Sequence, residues 1–105
     1  MINYEQFKNL FALLESGTEI EFYLKDSFDV YMIVKQTDFI IWGKCSPQST
    51  ITKFSSLDEL YNAKTIDGIC LKKDWKNVRD IVLHASYSVI EEKEELEKMY
   101  KINLN

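Results

Sequence analysis

Acid–base or nucleophilic chemistry in this chain would have to start from its single histidine, His84. Ser-His and Cys-His schemes both need an imidazole within hydrogen-bond reach of a nucleophile. His84 stands between Leu83 and Ala85, which form no catalytic motif, so a packed or solvent-facing imidazole is expected. The two cysteines, Cys45 and Cys70, show neither Cys-x-x-Cys nor His-x-x-x-His spacing. A zinc centre would require His84, Cys45, Cys70 and a carboxylate to converge through the fold, and no local spacing calls for that. Two separate buried thiols are expected, with no disulfide and no metal.

Other chemistries find as little support. Gly17, Gly43 and Gly68 are isolated, so no Gly-rich phosphate loop exists. Carboxylates are plentiful, as at Glu19/Glu21 and Glu91–Glu95, but two-carboxylate hydrolysis needs a cleft that shifts their pKa values. They read instead as solvated faces. Lys72, Lys73, Lys76 and Arg79 form one small basic cluster, with Lys72, Lys76 and Arg79 on a common helical face. A net charge of −4 repels phosphate backbones, and no aromatic-interleaved RNA-binding signature accompanies that cluster, so nucleic-acid binding is not expected. The reading is of a non-enzymatic chain with no catalytic residue, no metal and no cofactor. The alternative is a small ligand-binding protein or enzyme whose dispersed pocket gathers Asp67, His84, Tyr61 or Cys70.

The elements that would position these groups follow from periodicity. Tyr4, Phe7, Leu10, Phe11 and Leu14 form a helical stripe, with Asn3 and Gln6 as a capping box and Gly17 as the stop. From Glu19 the period becomes two. Ile20, Phe22 and Leu24 alternate with Glu19, Glu21, Tyr23 and Lys25, and Phe28, Val30, Met32 and Val34 with Asp29, Tyr31, Ile33 and Lys35, about a turn at Asp26-Ser27. A turn at Gln36–Asp38 leads to a third strand, Phe39–Cys45, completing an antiparallel meander. After Pro47, Thr50–Phe54 is a short strand or extended connection, and Ser55 or Ser56 caps a helix over Leu57–Ala63. Asp67-Gly68 marks a turn, and a helix resumes from Lys72 with Trp75 and Val78 inward.

Residues 80–101 support two patterns. A heptad spacing through Trp75, Val78, Val82, Ala85, Val89, Leu96 and Met99 fits one long helix. Alternation through Ile81, Leu83, Ala85 and Tyr87 fits a strand, and Ser88 with Glu91 would cap a fresh helix. A strand near 80–87 followed by a helix near 89–101 is expected. The fold class is therefore α+β in a single domain, 1–105. It has an N-terminal helix, a meander of three or more strands, helices on one face and a C-terminal helix.

With 46% hydrophobic residues the chain has enough apolar material for a core without disulfides. Its longest apolar runs, such as Phe39–Gly43, fall far below the roughly 18–20 residues of a membrane span. No basic region followed by an apolar run opens the sequence, so a cytoplasmic protein is expected.

The meander's faces look unequal. One carries Ile20, Phe22, Leu24, Val30, Met32 and Val34 as core. The other carries charges with Tyr23, Tyr31, Ile33 and Trp42, which is too apolar for a solvated sheet face. Tyr23, Tyr31, Ile33, Trp42 and Glu21 are thus candidates for binding another protein, unless the C-terminal segment covers them. Homodimerisation through the heptad-like segment or an open sheet edge is compatible with that reading.

The order Gly17-Thr18-Glu19-Ile20-Glu21-Phe22, Phe54–Leu60, Ala63-Lys64, Asp67-Gly68, Leu71 and Trp75 resembles small proteins of unassigned function from Firmicutes bacteria and their phages or mobile elements. The shared positions are core and turn residues. The resemblance therefore implies a common fold and no function. The expectation of a protein-interaction module of immunity, anti-defence or adaptor type rests on the missing chemistry, the acidic composition, and Tyr23, Tyr31 and Trp42 outside the core stripe.

Overall fold

The computed structural model describes residues 2–46 and 50–84, together with 94, 95, 97, 98, 103 and 104. Helix α1 spans Tyr4–Leu13 and opens on the expected capping box. The Asn3 side chain accepts from the Gln6 N–H at 2.8 Å, and the Gln6 side chain accepts from the Asn3 N–H at 3.0 Å. Its far end is capped from the sheet: Lys35 Nζ donates to the Phe11 carbonyl at 2.7 Å and to Ala12 at 3.3 Å. A cation there suits the negative end of the helix dipole. Gly17 has φ +94° but does not end the helix, which stops at Leu13. It shapes the turn into the first strand, where its N–H donates to the Lys35 carbonyl at 2.6 Å.

The strands are β1 (Glu19–Leu24), β2 (Tyr31–Lys35), β3 (Ile40–Lys44), β4 (Thr52–Phe54), β5 (Val78–His84) and β6 (Asn103–Leu104). They form one sheet in the order β4-β3-β2-β1-β5-β6. All neighbours are antiparallel except β5 and β6. Helices α2 (Leu57–Asn62) and α3 (Leu71–Asp74), with single 3-10 turns at Ile66–Gly68 and Trp75–Asn77, lie between β4 and β5. Phe7, Leu10, Leu57, Leu60, Leu71 and Trp75 share one core with Ile20, Phe22, Ile33 and Leu83. The α+β class and helices stacked on one sheet face agree with the sequence reading.

Trp75 ties the two ends of this layer together. Its indole N–H donates to the Ile2 carbonyl at 3.1 Å, and its ring lies 4.9 Å from Phe7. That contact holds the start of α1 across most of the chain's length without a covalent link.

Two expectations are corrected by the strands. In β2 the inward residues are Tyr31 and Ile33, since Phe22 pairs with Tyr31 and Ile20 with Ile33, which in turn pairs with Trp42. The alternation is present, but its phase moves by one, which exchanges the faces. The cause is a connection over residues 25–30 that begins with Lys25 at φ 47° and keeps Phe28 and Val30 out of the ladder.

The second correction concerns β5. The helical stretch ends before Val78, so Trp75, Val78 and Val82 form no continuous heptad seam, and Arg79 does not share a helical face with Lys72 and Lys76. Asp80 sits at φ 55°, opposite the register shift between Glu21 and Tyr23. This bulge adds one residue, so Val78, Ile81 and Leu83 all point inward despite their uneven spacing. The expected strand is present as Val78–His84. Of the expected helix at 89–101, Glu94, Glu95, Glu97 and Lys98 have helical backbone, and the rest lies outside the described residues.

Candidate functional site

Three of the five residues proposed for partner binding belong to the core. Tyr31 is 4% exposed, and Ile33 and Trp42 are fully buried. Tyr31 and Trp42 stack at 5.6 Å, and Phe22 lies 5.9 Å from Trp42, making an aromatic row under the helices. A surface built on Tyr31, Ile33 and Trp42 is therefore excluded. Glu21 and Tyr23 do lie on the opposite face, half-buried.

That opposite face gathers chemistry the sequence spacing hid. Glu19 and Glu21 are next-but-one on β1 and so point the same way. His84 pairs in register with Glu19, and its Nε2 lies 2.7 Å from Glu21 Oε1. From beyond β3, Cys45 is held by its N–H on the Val30 carbonyl at 2.9 Å, and its Sγ reaches Glu21 Oε2 at 3.8 Å. Ligand atoms of Glu19, Glu21 and Cys45 all lie within 4.8 Å of one another, and all three residues are half-buried. Burial, then the negative charges of Glu21 and Glu19, push the Cys45 thiol up to about 11. Such a thiol is protonated at neutral pH, and Glu21 rather than His84 is its neighbour, so the group is not a Cys-His nucleophile. The one local signal was the Glu19-x-Glu21 spacing. Cys45 and His84 arrive through strand pairing, which spacing does not encode.

A second region lies at the end of the sheet. The connection 25–30 is pinned from β5 and the turn before it. Lys25 N–H donates to the Asn77 carbonyl at 2.7 Å. Arg79 donates through Nε to the Lys25 carbonyl and through Nη2 to the Ser27 carbonyl, the latter at 3.1 Å. The Arg79 guanidinium stacks over Tyr23 at 4.8 Å, so Tyr23 serves as its platform. Lys44 Nζ bridges Asp29 at 3.4 Å and Asp67 at 2.7 Å, joining this connection to the 66–68 turn. The hydrogen bond to Asp67 raises the Lys44 pKa. From the middle of the pinned segment Phe28 projects with 93% of its surface exposed.

Of the residues named for a dispersed pocket, Tyr61 and Cys70 touch, and Asp67 and His84 lie apart from them. Tyr61 stacks on Tyr4, and Cys70 Sγ points to the Tyr61 carbonyl at 3.8 Å, on the helical side. Asp67 is engaged by Lys44, and His84 lies across the sheet. An open pocket of about 350 Å³ beside Tyr31, Asp67, Asp74 and Asn77 contains none of the others. No protein-family model, curated protein or solved structure matches this chain. Among the described residues, no helix is long and apolar enough to cross a membrane.

Proposed function

We propose that this chain is a non-enzymatic protein-interaction module, of the immunity, anti-defence or adaptor kind found in bacteria and mobile elements, and that Phe28 is its anchor. The observation behind this reading is the pairing of full exposure with a fixed backbone. Single apolar side chains on a surface are ordinary. Phe28 differs because its loop is ordered by Arg79, Asn77 and Lys44, so little conformational entropy remains to be lost on docking. Aromatic side chains, Phe among them, are enriched at protein–protein interfaces. Asp26 lies two residues before Phe28 in the sequence and is exposed, which favours a partner with a basic group beside an apolar socket.

A heterologous partner is favoured over self-pairing through the sheet edge. The edge strand β4 is short and has Lys53 at its centre, features that discourage strand addition. Photo-crosslinking from position 28 tests the reading. A benzoylphenylalanine in place of Phe28 should give an adduct with a protein in a bacterial lysate. Unlabelled wild type should suppress the adduct and Phe28→Ala should not. No suppressible adduct, or equal suppression by both competitors, would overturn the assignment of Phe28.

A further inference from the structure

We infer that Glu19, Glu21, Cys45 and His84 form a binding site for a zinc-class divalent cation on the sheet face away from the helices. The site is independent of the Phe28 surface and involves none of its residues.

The donor set is mixed and non-local. It brings together the chain's only imidazole, one of its two thiols and two carboxylates, supplied by β1, β5 and the residue after β3. Thiolate, imidazole and carboxylate together are the ligands of tetrahedral zinc, whereas calcium and magnesium take oxygen alone. With metal–sulfur and metal–oxygen bonds of about 2.3 and 2.0 Å, a tetrahedral centre sets sulfur and oxygen about 3.5 Å apart. Cys45 Sγ and Glu21 Oε2 stand at 3.8 Å, and the Glu19 carboxylate lies within 4.8 Å of both. His84 Nε2 stands outside that three-residue group and touches its Glu21, at 2.7 Å, so it becomes the fourth ligand only when its exposed side chain turns from Glu21 toward the ion.

The backbone supplies the rigidity such a site needs. Glu19 and Glu21 belong to a strand hydrogen-bonded on both sides, and His84 is registered directly against Glu19. Two negative side chains are thus held together on a half-buried surface, where a dication complements them. On binding, the Cys45 sulfur gives up its proton to solvent as the sulfur–metal bond forms. His84 Nε2 likewise releases to solvent the proton it shares with Glu21, the neutral imidazole keeping its proton on Nδ1, and the freed Nε2 lone pair binds the metal with no redox change.

Cobalt(II) reports ligand identity directly. Chelator-stripped full-length protein titrated with Co(II) should develop a sulfur-to-cobalt charge-transfer band and tetrahedral d–d bands, saturating at a single equivalent and displaced by Zn(II). Cys45→Ser should lose the charge-transfer band, and Cys70→Ser should keep it, since Cys70 lies on the helical side. Glu19→Gln and His84→Gln should each weaken Co(II) binding by at least the roughly 10- to 100-fold that losing an outer-shell partner costs. Far-ultraviolet circular dichroism establishes that each variant is folded. Absence of the charge-transfer band in the wild type would overturn the site. So would its persistence in Cys45→Ser, its loss in a folded Cys70→Ser, or unchanged affinity in both Glu19→Gln and His84→Gln.

Discussion

Strands β1, β2 and β5 show two surfaces made by the same backbone, and the surfaces obey different rules. Toward the helices, Ile20, Phe22, Tyr31, Ile33 and Leu83 are buried to within a few per cent of completeness, and Trp42 continues the row onto β3. Away from the helices, Glu19, Glu21, Tyr23 and His84 sit half-buried or exposed in a chain of polar contacts. The first surface is held by apolar area and close packing, which penalise any missing volume. The second is held by groups that water can also satisfy, so its residues are expendable to the fold and available for chemistry.

That difference is broken most sharply by truncating one residue on each side. Trp42→Ala should cost about 3–5 kcal/mol of unfolding free energy, the usual loss for a large buried aromatic. Glu21→Ala should cost no more than about 1 kcal/mol, because its partner His84 stays partly solvated. Urea denaturation of the two variants measures both. Equal losses would mean that the second face contributes to the core.

Gly43 lies where the two surfaces meet the returning chain. A Cβ there would stand 3.0 Å from Ile51 Cα and 3.1 Å from Ile51 N, both backbone atoms that cannot swing aside. Gly43→Ala should therefore destabilise by about 1–3 kcal/mol, as over-packed sites do. A stability equal to wild type would show that the 50–52 segment yields freely.

Arg79 is the link between the faces and the Phe28 loop. Arg79→Ala removes two backbone hydrogen bonds and the stack on Tyr23, and should cost about 1–2 kcal/mol. Its more specific effect is local: amide exchange at residues 25–29 should accelerate while β2 and β3 stay protected. Unchanged exchange would show that the Lys25–Asn77 bond and Lys44 hold the loop unaided.

The layered α+β architecture was legible because α1 and β1 announce themselves through period and capping. The face assignment was not, because β2's phase depends on how many residues the 25–30 connection consumes. Lys25 takes a left-handed conformation that no glycine advertises. Without that, Tyr31 and Trp42 looked like surface and Val30 like core. The long-helix pattern through Trp75, Val78 and Val82 had a similar cause. That pattern took Val82 as inward, whereas the bulge at Asp80 turns Val78, Ile81 and Leu83 to the core and leaves Val82 half-buried. The Glu19–Glu21–Cys45–His84 cluster was out of reach for a different reason. Only the carboxylate pair is local, and the strand order that delivers the other two was not inferable from spacing.

The smallest effect concerns the thiol of that cluster, and it separates the second face from an ordinary solvated one. With Cys70 replaced by serine, the rate of Cys45 alkylation by a neutral reagent should rise with pH toward a midpoint near 11. A midpoint near the ordinary value for a cysteine would mean that neither burial nor the two glutamates bears on Cys45. The same shift has a stability consequence. Because the folded thiol holds its proton more tightly than the unfolded one, its contribution is fully present below the unfolded pKa and is lost as pH rises toward 11. Tyr31, raised mainly by burial, and Tyr4, raised by burial and its hydrogen bond to Asp58, act in the same direction at higher pH. Cys45→Ser should therefore remove only the earliest part of the alkaline decline in stability and leave the tyrosine part intact. A decline unchanged from wild type would place the whole effect on the helical side of the sheet.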